Sequence, residues 1–201
     1  MALLTNIQDK FKKAFEKDCF ELLVNAYKLA LSEKEYQLDW DENDFSEQIC
    51  ENIRRDKTYI NKNIIVETEH KNFNSTKNKS KGFADKLPRI DFAFHTWNQY
   101  TCIHYMEAKR LKESDSKLKR AYINEGMNRF IYQKYPLGNM IGYLIEGNEQ
   151  KTVEGINRLL ALDGKSAESL VSKTFALHSS YYESDNHANI NQLKHVILDF
   201  T

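Results

Sequence analysis

The sequence has few of the residues that interrupt a chain or cross-link it. Two prolines and seven glycines among 201 residues argue against extended linkers or disorder, because such segments are usually rich in both. The three cysteines, Cys19, Cys50 and Cys102, are far apart and match no metal-ligand spacing. Neither a disulfide framework nor a cysteine-bound zinc site is therefore indicated, and we interpret the cysteines as small buried hydrophobic residues.

Long apolar runs are also absent. The sequence contains no stretch of about 20 apolar residues, as a membrane-spanning helix requires, and Met1-Ala2-Leu3-Leu4 leads into charged residues without the apolar segment of a secretory signal. We therefore expect a cytoplasmic protein that does not enter a membrane. The length of 201 residues fits one domain, because single cores rarely exceed about 250–300 residues.

An excess of either charge is missing too, since 29 basic and 29 acidic residues leave a formal net charge of zero. The charges are nevertheless segregated. Acids dominate residues 32–56, whereas basic residues dominate 71–89, which includes Lys81, and 109–120, which includes Lys112. Such segregation allows a neutral protein to bind a polyanion such as a nucleic acid. Solvated surface loops would give the same pattern, so both interpretations stay open.

The spacing of apolar residues predicts an alternation of helices and strands. Helices are predicted at 4–31, about 44–57, 117–135 and 153–162, and strands at 63–70, 90–94, 102–106 and 140–145 and near 174–182 and 195–200. Asp44 and Glu47 have the spacing of an N-terminal capping box, and Pro136 would close the third helix. This order indicates an α/β (α+β) fold in which helices flank a mixed β-sheet.

Three residues in the predicted hairpin formed by strands 90–94 and 102–106 suit metal-assisted phosphodiester hydrolysis. Asp91 and Glu107 would offer hard oxygen ligands to Mg²⁺ or Mn²⁺, and Lys109 would orient the attacking hydroxide. Glu107 and Lys109 share a face, because side chains alternate along a strand. Asp91 joins that face only if it pairs with an odd-numbered residue.

The hairpin connection decides that register. A three-residue loop at Trp97-Asn98-Gln99 or Asn98-Gln99-Tyr100 would produce it, whereas a two-residue turn at Asn98-Gln99 would separate the carboxylates unless a bulge intervened. We expect the register that brings both acids and the lysine to one face.

The spacing acid-x-lysine is not specific by itself, because it occurs five times. It begins at Glu69, Glu107, Asp115, Glu149 and Asp163. Of these, Glu107 ends an apolar strand, follows another strand that carries an acid, and precedes a helix; Glu69 is the second candidate. The histidines show no HxH or HExxH spacing, so the sequence gives no support to zinc chemistry.

Pro88-Arg89-Ile90-Asp91, followed by Glu107-Ala108-Lys109, resembles the PD-(D/E)xK nuclease superfamily. The resemblance implies that Asp91 and Glu107 bind the metal, that the Ala108 carbonyl is a further ligand, and that Lys109 is catalytic. Pro88 departs from the family pattern, since it does not directly precede the acid.

The family core consists of a helix, three antiparallel strands, a helix and a further strand, which here would cover 43–147. The resemblance therefore implies a restriction-endonuclease-like core within a single domain, 1–201. Residues 1–42 would form an N-terminal helical buttress, and 148–201 a C-terminal helix and strands.

Many members of the superfamily add a glutamate from the helix before the first strand. Glu47 and Glu51 compete for that role, and Glu47 is slightly preferred, because it begins a helical face that continues through Glu51. The stretch 122–130 is similar to prokaryotic defence-associated nucleases, which implies that Arg129 faces the site or the phosphates. Arg110 is another candidate phosphate contact. Both arginines would also suit a solvated surface.

The resemblance implies a Mg²⁺- or Mn²⁺-dependent nuclease that cleaves DNA in a prokaryotic restriction or anti-phage system. The alternative is a catalytically inactive subunit with the nuclease fold, which binds nucleic acid or a partner protein in a defence complex. RNA is not excluded as the substrate, because no base-reading module is visible in the sequence. A homodimer is expected by analogy with small nucleases of this type.

Overall fold

A computed structural model describes residues 2–71, 81, 87–96, 102–135 and 138–201, and it describes side chains from residue 7 onward. The helices are α1 (Ala2–Glu33), α2 (Glu42–Asp56), α3 (Thr58–Asn61), α4 (Ser116–Ala121), α5 (Asn128–Ile131) and α6 (Glu149–Leu162), with a π-helical turn at Tyr122–Met127 and a 3₁₀ turn at Ser166–Glu168. The strands are β1 (Ile64–Lys71), β2 (Arg89–Thr96), β3 (Cys102–Lys112), β4 (Gly138–Glu146), β5 (Val171–Ser172), β6 (Tyr181–Asp185) and β7 (Gln192–Asp199).

One mixed sheet of seven strands, in the order β1-β2-β3-β4-β7-β6-β5, forms the centre of the described structure. Strands β1, β2 and β3 run antiparallel, and β4 runs parallel to both β3 and β7. Strands β6 and β5 complete the sheet in antiparallel pairing. The prediction of a mixed sheet flanked by helices is confirmed, and from α2 to β4 the chain follows the order helix, three antiparallel strands, helix, strand.

Helices cover both faces of the sheet, because strand side chains alternate between two hydrophobic cores. Met106 and Ala108 of β3 belong to the core shared with α1 and α2. Tyr105 and Leu111 belong to the core shared with α6 and the helical segment 116–131. None of the described helices is both long and apolar enough to cross a membrane.

Helix α2 begins earlier than the sequence pattern predicted. The backbone N–H of Asp41 donates to the Asp44 carboxylate (3.0 Å), and the helix starts at Glu42. The predicted capping box at Asp44 and Glu47 is therefore wrong, because Asp41 occupies the cap position and Asp44 is its partner three residues later. The correction adds a turn to α2 and brings Glu42 into the helix.

The predicted helix 117–135 is interrupted. Regular helix gives way to a π-helical turn at Tyr122–Met127, and the last helical residue is Ile131. Gln133 then adopts a left-handed conformation (φ 56°), which ends the helix by the usual C-terminal route. Pro136 is not the terminator that the sequence suggested, and it lies outside the described residues.

The C-terminal strands also differ from the prediction. Residues 174–180 are not part of a strand, and β6 begins at Tyr181, so the predicted strand at 174–182 is placed too early. The short strand Val171–Ser172 was not predicted. The strands predicted at 63–70, 140–145 and 195–200 are confirmed in substance, as is the hairpin of β2 and β3.

Candidate active site

The register between β2 and β3 is the one that the hypothesis requires. Phe92 pairs with Met106, and Thr96 pairs with Cys102, which is the register that would place Asp91 opposite Glu107 if the ladder continued. The connection that contains the two proposed three-residue loops, residues 97–101, lies outside the described residues. An odd-numbered partner for Asp91 is thus consistent with the observed pairing.

Strands β2 and β3 stop pairing at the candidate site. The described ladder between them stops at Phe92 and Met106, and the carboxylate of Asp91 accepts the backbone N–H of Ala108 at 2.7 Å. This side chain replaces the backbone carbonyl that a continuing β2 would have offered. Asp91 is therefore held at the opening between the two strands, next to the peptide that joins Glu107 and Lys109.

Asp91 also lines a cleft of about 240 Å³ between α2 and the first two strands. Besides Asp91, the lining consists of Asn43, Asp44, Ser46, Glu47, Thr68 and Glu69. Burial raises the pKa of Asp91, against the opposing effects of the Lys109 charge and the Ala108 N–H. A carboxylate that is shielded yet borders a cleft is suited to receive a cation from solvent.

Glu107 is the buried acid of the site, with 1% of its side chain exposed. Its Oε1 atom lies 3.2 Å from Lys109 Nζ and also accepts from Arg129. Its Oε2 atom is buried and has no hydrogen-bond partner among the described residues. Burial and the nearby Asp91 charge raise the pKa of Glu107 to about 8, although Lys109 and Arg129 act in the opposite direction.

The ammonium group of Lys109 lies among three oxygens. Its Nζ atom is 2.8 Å from Ala108 O, 3.0 Å from Glu42 Oε1 and 3.2 Å from Glu107 Oε1. Burial alone would lower the pKa of Lys109, but the carboxylates of Glu107, Asp91 and Glu42 outweigh burial and raise it. This buried pocket is therefore built to hold positive charge.

Arg129 reaches Glu107 from the helical segment that follows β3. The π-helical turn before it includes Gly126, where a Cβ atom would press on Met140 Cε and come within 3.5 Å of Lys109 Cγ. The glycine thus permits the turn to pack closely on β3 and β4. Single π-helical turns inside helices are frequent at functional sites. The expectation that Arg129 faces the site agrees with this contact.

The acid of α2 that contacts the cluster is one that sequence reasoning missed. Glu42 accepts a hydrogen bond from Lys109 Nζ and another from the backbone N–H of Arg110, both at 3.0 Å. Glu47 lines the cleft with Asp91, while its own carboxylate accepts from Thr68 Oγ1 at 2.6 Å. Glu51 is exposed. The misplaced start of α2 concealed Glu42, since residue 42 fell before the predicted helix.

Only some of the residues predicted to contact nucleic acid lie at the candidate site. Arg110 donates to Trp40 O at 3.0 Å and pairs with Asp41 at 3.2 Å. Lys112 pairs with Glu146 at 3.1 Å. Lys81 is exposed, and most of the basic stretch around it, including Lys77, Lys79 and Lys86, lies outside the described residues.

The second acid-x-lysine candidate is arranged differently. Glu69 has a left-handed backbone (φ 48°) and binds Arg89 through both carboxylate oxygens, at 3.0 and 3.1 Å. It lines the cleft beside Asp91, so it contributes negative charge to the same region. Its exposed ion pair contrasts with the buried, incompletely bonded Glu107.

The donor set fits a hard divalent cation. Asp91, Glu107 and the Ala108 carbonyl would supply oxygen ligands, and Glu107 Oε2, which has no hydrogen-bond partner among the described residues, is the atom whose hydrogen-bonding need a cation would satisfy. In the described part of the chain, Asp91 and Glu107 belong to no group of three Asp, Glu, His or Cys ligand atoms that all lie within 4.8 Å of one another. Two protein carboxylates are sufficient for Mg²⁺, because this ion usually binds one or two carboxylates and keeps several waters.

The chain matches no family model, no curated protein and no solved structure.

Proposed function

We propose that the protein is a PD-(D/E)xK-type nuclease that hydrolyses phosphodiester bonds in DNA with Mg²⁺ or Mn²⁺. The observation that carries the proposal is the buried Glu107, whose Oε2 has no hydrogen-bond partner among the described residues, beside Lys109 and the cleft-lining Asp91. The order of α2, β1 to β3, the helical segment 116–131 and β4 agrees with a restriction-endonuclease-like core. A role in prokaryotic restriction or anti-phage defence rests on the sequence resemblance.

Each residue has a distinct task in this proposal. Asp91, Glu107 and the Ala108 carbonyl hold the cation, which supplies Lewis acidity and lowers the pKa of a bound water. Lys109 positions the attacking water and offsets the negative charge that develops on the phosphate. Arg129 donates to Glu107 and keeps its carboxylate turned toward the site. Glu42 fixes the lysine ammonium on the opposite side, at 3.0 Å.

The direct test is a cleavage panel with linear, circular and single-stranded DNA and with RNA. We expect cleavage that requires Mg²⁺ or Mn²⁺ and stops in EDTA, with DNA preferred. Asp91→Ala and Lys109→Ala should abolish it while circular dichroism and the melting temperature show a folded protein. Wild-type cleavage that persists in excess EDTA would exclude the metal role.

Matched controls come from another acid-x-lysine pair. Asp163 and Lys165 have the same spacing at the end of α6, where Asp163 pairs with Arg120. Asp163→Ala and Lys165→Ala should cleave like the wild type. If all four variants lose activity equally, the loss reflects general destabilisation and the assignment of the site is wrong.

One observation favours a second candidate, a non-catalytic subunit that binds nucleic acid or a partner protein. Lys109 Nζ already contacts three site oxygens, so an internal ammonium could serve in place of a metal. A structure soaked in Mn²⁺ distinguishes the two. Density between Asp91 and Glu107 supports the nuclease, whereas correctly oriented side chains without density, together with DNA binding but no cleavage, support the subunit.

A further inference from the structure

A second polar cluster lies on β1 and β2, and it contains nitrogen ligands. The Oε2 atom of Glu67 is 2.9 Å from His70 Nδ1 and 3.4 Å from His95 Nε2. The three potential ligand atoms all lie within 4.8 Å of one another. None of these residues takes part in the candidate active site described above.

Strand pairing explains how residues distant in sequence meet. Glu67 pairs with Ala93 and Ile65 pairs with His95, so Glu67 and His95 lie diagonally on one face of the β1–β2 ladder. Regular alternation would place His70 on the opposite face from Glu67. The left-handed backbone of Glu69 (φ 48°) interrupts that alternation, and His70 turns toward Glu67.

The distances suit a tetrahedral metal ion. Ligands about 2.0–2.1 Å from Zn²⁺ in tetrahedral geometry are separated from one another by roughly 3.3 Å. The two distances to Glu67 Oε2, 2.9 and 3.4 Å, bracket this value. The ligand nitrogens of the two histidines lie within 4.8 Å of one another, and their ring centroids are 5.0 Å apart.

Two further observations point to a ligand. The Nε2 atom of His95 is shielded from solvent, and its 3.4 Å contact with Glu67 Oε2 falls short of a well-formed hydrogen bond. A shielded ring nitrogen without a well-formed hydrogen bond is uncommon in a folded protein. The cluster also remains accessible, because 51% of the Glu67 side chain, 22% of His70 and 23% of His95 are exposed.

We propose that Glu67, His70 and His95 bind a divalent transition-metal ion, for which Zn²⁺ is the best chemical match. Two imidazoles and one carboxylate form a ligand set typical of zinc, and three protein ligands leave a coordination position for water. The bound ion joins the edge strand β1 to β2. The site is independent of the nuclease proposal, because its nitrogen donors differ from the oxygen donors that Mg²⁺ prefers. Spacing motifs miss it, since the two histidines belong to different strands.

The test uses the full-length chain without a histidine tag. Zn²⁺ is titrated at pH 7.5 while calorimetry measures affinity and ¹H–¹⁵N NMR follows the imidazole nitrogens of each histidine. We expect stoichiometric binding with shifts confined to His70 and His95, and no such shifts with Mg²⁺. The absence of zinc-induced shifts at both histidines would overturn the proposal.

Variants identify the ligands. His70→Asn, His95→Asn and Glu67→Gln should each weaken Zn²⁺ binding by at least about 100-fold, because loss of a direct ligand exceeds the usual effect of an outer-shell change. Glu154→Gln, at an exposed glutamate of α6, is the matched control for Glu67→Gln, and it should bind Zn²⁺ like the wild type. Asp91→Ala should also retain binding, which separates this site from the candidate active site. Equal affinities across all these variants would contradict the assignment.

Discussion

Two buried polar clusters both include residues of the helical segment 116–131, but they differ in how fully their polar atoms are hydrogen-bonded. Near β6 and β7, His195 lies 2.9 Å from Tyr122 Oη through Nδ1 and 2.8 Å from Ser184 Oγ through Nε2. Ser184 Oγ also contacts His187 Nε2 at 2.8 Å, and His187 Nδ1 reaches Glu168 at 2.8 Å. Each of these ring nitrogens has a partner, so the cluster favours a single conformation.

The candidate active site is incomplete by comparison. In the described part of the chain, one oxygen of Glu107 has no hydrogen-bond partner, and burial near Asp91 raises the pKa of Glu107 to about 8. A protein that gathers acids at a buried position, at a cost in stability, commonly does so to bind or react. The difference between the two clusters supports the proposal that one is structural and the other binds a ligand.

The order of groups in the histidine cluster does not alter that conclusion. Ser184, His187 and Glu168 follow the serine, histidine, acid sequence of a hydrolase triad. Ser184, however, has no exposed surface. A nucleophile must reach its substrate, so we assign this cluster to the stability of the fold.

The largest expected effect is a loss of cleavage in Glu107→Gln. The amide removes the negative charge that would bind the cation, so the cleavage rate should fall by at least about 10³-fold. The stability of the metal-free variant should not decrease, because a buried amide is easier to accommodate than a buried carboxylate. Initial rates and urea denaturation measure both quantities. Activity within tenfold of wild type would remove Glu107 from the mechanism.

Local patterns predicted the central part of this site. Alternation along a strand placed Glu107 and Lys109 on one face, and the observed pairing of Phe92 with Met106 provides the register that this interpretation required. Both inferences depend on the geometry of a regular hairpin, which apolar periodicity reveals.

Other features depend on tertiary structure or on backbone irregularities. Arg129 reaches Glu107 across a π-helical turn, which periodicity cannot reveal. Glu42 was missed because Asp41, rather than Asp44, caps α2. His70 joins Glu67 because Glu69 has a positive φ, although glycine is the residue usually associated with that conformation. Arg129 was expected only from the sequence resemblance, whereas Glu42 and the His70 contact were missed because one local backbone feature hid each of them.

The next effect is on stability, at the complete cluster. Ser184→Ala removes the hydroxyl that contacts His187 and His195, and it should lower the free energy of unfolding by about 1 to 3 kcal/mol, since His195 Nε2 loses its partner while His187 Nε2 keeps the Ser184 carbonyl at 3.1 Å. Nuclease activity should stay near the wild-type value at a temperature where the variant is folded. Ser179→Ala, at an exposed serine, is the control and should change stability by less than about 0.5 kcal/mol. Equal unfolding midpoints for the two variants would refute a structural role for the cluster.

Acid should weaken the histidine cluster specifically. Burial lowers the pKa of His195 from its ordinary 6.5 to about 3, with a smaller contribution from His187. The unfolded chain therefore binds a proton that the folded protein does not, so this stability is present above about pH 6.5 and is lost as the pH falls toward 3. Between pH 7 and about pH 4.5 the loss should be about 2 to 3 kcal/mol.

Urea denaturation at both pH values measures that loss in variants. His195→Gln should be less stable at neutral pH but should lack this part of the acid dependence. Tyr122→Phe keeps the histidine and should keep the dependence. A wild-type acid response in His195→Gln would show that other groups cause it.

The smallest expected effects come from the acids of α2, and they show which of these acids assists the candidate active site. Glu47 lines the cleft with Asp91, so Glu47→Gln should weaken Mn²⁺ binding by about tenfold. Glu42 contacts Lys109 at 3.0 Å, so Glu42→Gln should lower the cleavage rate by about tenfold and leave Mn²⁺ affinity unchanged. Glu51→Gln is the control and should alter neither quantity. Calorimetric Mn²⁺ titration measures metal binding, and single-turnover rates measure the effect on the reaction step. If Glu51→Gln had effects equal to those of the other two variants, general loss of negative charge rather than contact geometry would control the site.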